Sequence, residues 1–183
     1  MKSRYWLGIP ALILAVWLGL GDFHGDVDPA AEAAAAFAPR YRIETLRLMR
    51  TDAEGVPALE LRAASADYYD DGSAQLKMVA ARGLSGSAAP WQLTAPQGLV
   101  PVGQRRLKLL SPVAGTGQWP DGERFQVEAQ DVWVDDAAKQ FESALPIRIS
   151  SETRSANARG FKAPFDGHTL QLNSVEMRYA LRD

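Results

Sequence analysis

Leu59-Glu60-Leu61-Arg62-Ala63, Trp91-Gln92-Leu93-Thr94-Ala95 and Phe125-Gln126-Val127-Glu128-Ala129 are three spellings of one phrase. Each alternates a large apolar residue with a polar one and closes on Ala. The copies begin at 59, 91 and 125, so they stand 32 and 34 residues apart, a period that marks one structural unit repeated. Alternation of period two is the mark of a strand with one buried face. Arg159-Gly160-Phe161-Lys162-Ala163 reads as a weaker fourth copy. After each Ala come further apolar residues (Tyr68 and Tyr69; Leu99 and Val100; Val132, Trp133 and Val134). A turn follows, at Asp70-Asp71-Gly72, Pro101-Val102-Gly103 or Asp135-Asp136-Ala137. A return strand comes next, anchored by Leu76 and Met78, by Leu107 and Leu109, or by Phe141. The unit is a long hairpin, and stacked hairpins with one greasy face build a β trough or sandwich.

The turns between units are spaced as an all-β fold requires. Asp52-Ala53-Glu54-Gly55 joins an opening strand (Tyr41, Ile43, Leu46, Leu48) to the first copy. Ser85 to Pro90 divides the first and second units, and Gly115-Thr116-Gly117 with Pro120-Asp121-Gly122 divides the second and third. Ser150 to Asn157, polar and without evident period, separates the third from the last. Asp166-Gly167 is a tight hairpin turn. Leu170-Gln171-Leu172 follows, and then a terminal amphipathic strand carrying Val175, Met177, Tyr179 and Leu181.

The N-terminus is of another kind. Tyr5 to Gly21 carries no charge, about the shortest length that crosses a bilayer as a helix. Lys2 and Arg4 precede it while Asp22, Asp26 and Asp28 follow, which places the N-terminus in the cytoplasm and the bulk of the chain across the membrane. A cleaved signal peptide is the alternative. Ala36-Phe37-Ala38 has the look of a cleavage site but lies far beyond the apolar run, so a retained anchor and a mature protein starting near Met1 are expected. The sequence thus divides into a cytoplasmic tail (1–4), a transmembrane helix (5–21), a linker with a short alanine-rich helix (22–39) and a β domain (40–183).

Chemistry is hard to find. The chain of 183 residues has no Cys and a net charge of −2, which removes thiol nucleophiles, disulfides and thiolate metal sites and gives no reason to expect nucleic acid. Its two histidines, His24 and His168, fall in the linker and in a turn, with no metal-ligand spacing. The acid pairs Asp70-Asp71 and Asp135-Asp136 sit at turns, where Asp serves its own backbone. Gly83-Leu84-Ser85-Gly86-Ser87 misses the nucleophile elbow and no phosphate-binding P-loop is present. Neither an enzyme nor a cofactor is expected. The like-parity residues have two readings: a dry core, or a trough open along one side and lined for acyl chains.

At these residues the chain resembles a family. Thr51-Asp52-Ala53-Glu54-Gly55 before the first copy, Ala66-Asp67-Tyr68-Tyr69 at the end of its strand and Trp91-Gln92-Leu93-Thr94-Ala95, together with a short anchor and stacked hairpins, resemble the LptC family of lipopolysaccharide export. Gly160 falls where that family has a functionally important glycine. The chain departs from the pattern in its many alanines and compact C-terminus. The resemblance covers essentially the whole chain and implies an open, V-shaped β-jellyroll of the OstA/LptA kind. It also implies a place in the inner membrane, single-pass, with the β domain in the periplasm.

By that resemblance the domain receives lipopolysaccharide from the LptB/LptF/LptG transporter, touching LptF and LptG through its N-terminal edge and anchor. It passes the lipid to LptA across its C-terminal edge (Val175, Met177, Tyr179, Leu181). The expected lipid groove is Leu59, Leu61, Leu76, Met78, Trp91, Leu93, Leu107, Phe125, Val127, Val134 and Phe141. The alternative is a membrane-anchored β scaffold that joins protein partners and binds no lipid.

Overall fold

This computed structural model describes residues 38–84, 91–119, 121–166 and 169–179. The expected tail, anchor and nearly all of the linker, with His24, lie outside the described residues. So do the Ser85–Pro90 loop, Pro120, Gly167, His168 and Leu181. No helix long and apolar enough to cross a membrane occurs among the described residues.

The described regular structure is β throughout. Four long strands come first: β1 (Tyr41–Thr51), β2 (Pro57–Tyr68), β3 (Ala74–Gly83) and β4 (Gln92–Val100). From there on each pass of the chain is broken at mid-length into two shorter strands. These pairs are β5 (Arg106–Leu110) with β6 (Val113–Gln118), β7 (Arg124–Ala129) with β8 (Val132–Asp135), and β9 (Gln140–Ser143) with β10 (Ile147–Ser150). Then come β11 (Arg154–Ala158) with β12 (Gly160–Pro164), and β13 (Gln171–Asn173) with β14 (Glu176–Tyr179).

The pairing explains the break. One side of β4 is shared, its first half bonding to β6 and its second half to β5. Beyond it the sheet forks. One branch runs β5-β8-β9-β12-β13 and the other β6-β7-β10-β11-β14. Every pairing is antiparallel, so the chain is an up-and-down meander of nine passes, four unbroken and five creased, in one open, curled, half-barrel sheet.

The repeat period is one complete up-and-down cycle. The three phrases open the second, fourth and sixth passes at the same end of the sheet, where Leu61, Leu93 and Val127 are joined through Ala81 and Gly115. Their closing alanines lie at the crease. Ala95 faces Val79, and Ala129 faces Val113 and Ile147. Small residues facing β-branched ones let the two branches close on each other without a void.

The fourth copy is corrected by this register. Ala156 and Ala158, opposite Ile149 and Ile147, occupy the places of Val127 and Ala129. The true fourth copy is therefore Arg154 to Ala158, in the stretch expected to be a loop. Phe161 belongs to the other branch, beyond the crease. Ser151 N–H and Ser151 Oγ both reach the Arg154 carbonyl, at 2.8 and 3.2 Å, and compress the intervening turn to a few residues.

The expected turn at Gly115-Thr116-Gly117 is likewise a strand, the middle of β6. The turns at Asp52-Ala53-Glu54-Gly55, Asp70-Asp71-Gly72, Pro101-Val102-Gly103 and Asp135-Asp136-Ala137 form where expected. Asp52 Oδ1 accepts from the Glu54 and Val56 N–H groups, and Gly55 takes a φ of 82°. Asp71 Oδ1 accepts from Ser73 N–H, and Asp135 Oδ1 from Ala138 N–H, so both acid pairs act as turn caps.

Candidate functional site

The inward face of the sheet is one apolar surface. Directly opposed residues of antiparallel strands share a face, so rows can be followed from strand to strand. One row begins at Leu48 on β1 and passes through Leu61, Ala81, Leu93, Gly115, Val127, Ile149 and Ala156 to Met177 on β14. At about 4.8 Å between strands such a row spans roughly 38 Å. A second row lies in the other branch, through Ile43, Ala66, Leu76, Gly98, Leu109 and Val132. Phe161 and Leu172 extend that face onto β12 and β13.

Ten of the eleven expected groove residues lie on this face and are buried: Leu59, Leu61, Leu76, Trp91, Leu93, Leu107, Phe125, Val127, Val134 and Phe141. The exception is Met78. It takes a φ of 51° and is 69% exposed, while Val79 takes the inward place at 1%. Lys77 pairs with Ser65 and Gln97, and pairing with β4 resumes at Val79 with Ala95, so the register holds across Met78 and no residue is inserted. At the positive φ of Met78 the strand exchanges its faces, and β4 does so in step, with Ala95 and Gly98 both buried; strict alternation from Leu76 does not reveal this.

The interior is closely packed. The Trp91 and Phe125 rings meet edge to face at 5.0 Å, and Trp91 stacks over Phe161 at 6.5 Å. Phe125 covers Gly117, where an added Cβ would come within 2.4 Å of its ring, and Leu93 covers Gly115 in the same way. These glycines are seats for large side chains. That is why a strand carries two of them, and why composition alone reads the stretch as a turn. Ile147, Ile149, Val113, Val132 and Phe165 complete the core and were missing from the expected set. Ile147-Arg148-Ile149 carries the same alternation in too short a run to stand out.

The apolar face reaches solvent at the sheet's ends. Leu48 on β1 and Met177 on β14 are each 37% exposed, whereas every residue between them in the row whose side chain is apolar is buried. β1 pairs only with β2, β13 only with β12, and β14 only with β11, so each leaves one backbone edge unpaired among the described residues. Met177 and Tyr179 sit on β14 and Val175 just before it, all exposed.

Gly160 opens β12 and is buried. An added Cβ would lie 2.7 Å from the Ser143 carbonyl oxygen and 3.3 Å from the Ala144 Cα. It is absent from the positive-φ glycines, which are Gly55, Gly72, Gly103 and Gly122. A neighbouring backbone, that of β9, demands the glycine.

The outward face is polar and cross-braced. Asp67 takes Arg42 bidentately at 2.5 and 2.9 Å. Glu60 Oε1 accepts from Arg47 at 2.8 Å and from Arg62 at 2.7 Å. Hydrogen bonds from Arg62 and then Arg47 hold the Glu60 carboxyl below the usual carboxylate range, against the opposing effect of desolvation; Arg42 does the same for Asp67. At the crease, Asp131 receives the Ser111 N–H at 2.9 Å and Lys108 at 2.8 Å, while Ser143 Oγ–H donates to its carbonyl at 2.6 Å. Arg106 stacks on Trp133 at 4.7 Å and pairs with Asp135 and Glu142. Among the described residues no group of His, Cys, Asp or Glu is placed to hold a metal.

A family model described as "Lipopolysaccharide-assembly, LptC-related" matches residues 9–180. No curated protein matches the chain. Among solved structures, the chain is similar to the crystal structure of LptH, the LptA-homologous periplasmic component of the conserved lipopolysaccharide transport device from Pseudomonas aeruginosa. That likeness covers 68% of this chain and 95% of that one, at 9% identity and a TM-score of 0.46.

Proposed function

The chain belongs to the LptC-related family of lipopolysaccharide-assembly proteins, non-enzymatic components of lipopolysaccharide transport. On that premise we propose that its inward apolar face carries the acyl chains of lipopolysaccharide from one edge of the sheet to the other. The observation behind this reading is the row from Leu48 to Met177, buried along its length and exposed at its two ends. A partner sheet added at β1 or at β13/β14 would extend both the backbone ladder and the oily face. In this reading LptF's periplasmic domain joins at β1, LptA joins at the β14 edge, and the LptB/LptF/LptG transporter supplies the energy. Residues 5–21 anchor the chain in the inner membrane, residues 22–39 link the anchor to the β domain, and the two branches act as the limbs of a V-shaped jellyroll. Acyl chains enter by lifting Phe125 and Leu93 from Gly117 and Gly115.

Photo-crosslinkers placed in cells at Leu61, Trp91, Leu93, Phe125, Val127 and Phe141 test this. Capture of lipopolysaccharide there, and none at outward Lys77 and Arg148, is the expected result. Capture confined to the outward positions overturns it. The close packing of the interior favours a second reading, an anchored β scaffold that joins proteins and binds no lipid. Pull-down of LptA with no lipopolysaccharide crosslink at any inward position would select that one.

A further inference from the structure

A broad hollow among the described residues opens on the polar face of the sheet. It measures about 780 Å³ and is walled by Arg82 of β3 and Arg124 of β7, with Gln92, Thr116, Gln126 and Ser150 between them and Gly117 and Phe125 also reaching its lining. Arg82, Gln92, Thr116, Gln126 and Ser150 form one outward row across five strands. The volume suits an oligosaccharide-sized ligand.

Two features separate this hollow from the rest of the polar face. Most arginines nearby are spent: Arg47 and Arg62 on Glu60, Arg154 on Asp121 and Glu123. Arg82 stands opposite Glu60 in the β2–β3 ladder, but Glu60 Oε1 is already occupied by the other two guanidinium groups. Neither Arg82 nor Arg124 forms an ion pair among the described residues, and both line the same hollow. The side chains of Gln92, Gln126, Thr116 and Ser150 likewise make no hydrogen bond there. Gln118 Nε2 is committed to the Gly122 carbonyl at 2.6 Å, and Glu152, the one carboxylate of the lining, has a partner of its own. The wall therefore offers two free planar cations and a run of free amides and hydroxyls, beside an apolar part at Gly117 and Phe125. Guanidinium forks match phosphate oxygens, and neutral amides and hydroxyls match sugar hydroxyls.

We propose that this hollow is a binding site for a phosphorylated saccharide, its phosphate held by Arg82 and Arg124 and its hydroxyls by the Gln92, Gln126, Thr116 and Ser150 side chains. A sheet separates its two faces, so the site does not require the interior to carry acyl chains. The ligand is either the sugar-phosphate headgroup of a glycolipid or a free sugar phosphate.

The test is calorimetric titration of the full-length protein in non-ionic detergent with a fully deacylated, bis-phosphorylated glucosamine disaccharide. Saturable binding is expected, weakened about tenfold by R82Q or R124Q, since each removes a charge-assisted contact. R50Q, at an arginine outside the hollow, leaves it unchanged. Retained thermal melting checks that the outward variants fold. Glucosamine 1-phosphate binding as tightly as the disaccharide identifies free sugar phosphates as the ligand; weaker binding identifies the glycolipid headgroup. No binding of either, equal affinity in the double variant, inorganic phosphate binding as well as the saccharides, or an oligoglutamate peptide binding better overturns the proposal. Each of these failures leaves the interior crosslinking result standing.

Discussion

Replacing Gly160 by Ala adds one carbon at a place where the backbone of β9 leaves none. The added Cβ would lie 2.7 Å from the Ser143 carbonyl oxygen and 3.3 Å from the Ala144 Cα. Both are main-chain atoms, so no rotamer change relieves the contact. β12 must move from β9 by about half an ångström, and close-packed interiors resist such shifts. Overpacking of this size costs about 1–3 kcal/mol. Ala in place of Gly returns about 0.4–1 kcal/mol by restricting the unfolded chain, which leaves a net loss of roughly 0.5–2 kcal/mol. For a domain of this length that lowers Tm by about 2–8 °C.

The damage should be local first. Gly160 pairs with Asn173, and Arg159 N–H donates to the Asn173 carbonyl at 2.9 Å, so displacing β12 loosens β13. The assay is thermal unfolding of wild type, Gly160→Ala and Gly160→Arg, with hydrogen exchange read at the Gln171–Asn173 amides. Gly160→Arg, which also buries a guanidinium, should be much the worst. A Gly160→Ala variant as stable as wild type, with unchanged exchange in β13, refutes the steric argument and returns Gly160 to a direct role toward lipid.

Phe125→Ala empties the space over Gly117 and removes the edge-to-face contact with Trp91; a loss of about 3–5 kcal/mol by chemical denaturation is expected. Met78→Lys should stay within about 0.5 kcal/mol of wild type because the side chain is already outside, whereas Val79→Lys buries an unpaired charge and should prevent folding. Glu60 and Asp67 have carboxyls held below their ordinary range by Arg62, Arg47 and Arg42. A carboxyl depressed in the folded state contributes stability above the unfolded pKa of about 4 and loses it as pH falls through the lower folded value. Tm should therefore drop below about pH 4, and less steeply in Glu60→Gln; parallel Tm–pH curves for the two proteins would argue against the linkage.

The meander was legible because one phrase of period two recurs at the length of one up-and-down cycle. Residues that obey strict alternation, such as Leu59, Trp91, Leu93 and Phe125, were placed on the correct face. What was hidden depends on departures from alternation or on distant strands. Met78 sits where its strand exchanges faces through a positive φ, which changes parity without changing residue type. Gly115 and Gly117 carry turn chemistry but occupy a strand because Leu93 and Phe125 rest on them. The eighth pass was missed in part because Ala156 and Ala158 face Ile149 and Ile147, which leaves room only for small side chains and erases the hydrophobic signal. The polar hollow has no local signature, since Arg82 and Arg124 meet only through the register of β3, β4, β6 and β7.

The crease and the open ends are two consequences of one packing problem. A nine-pass sheet with a single apolar face must cover that face, and this one does so by folding along the line of alanines Ala63, Ala95, Ala129 and Ala158. Folding works where a strand has a neighbour on both sides. At β1 and β14 there is a neighbour on one side only, so Leu48 and Met177 keep more than a third of their surface in water. Charges placed on those residues should leave the isolated domain folded, because each already stands at the rim. They should instead weaken any assembly that adds a strand there, since the incoming sheet must desolvate the charge. Leu48→Glu and Met177→Glu that melt like wild type but lose their partners on opposite edges would assign one partner to each end. Variants that unfold the domain would show that the rim residues belong to the core, and that the oily face ends inside the protein.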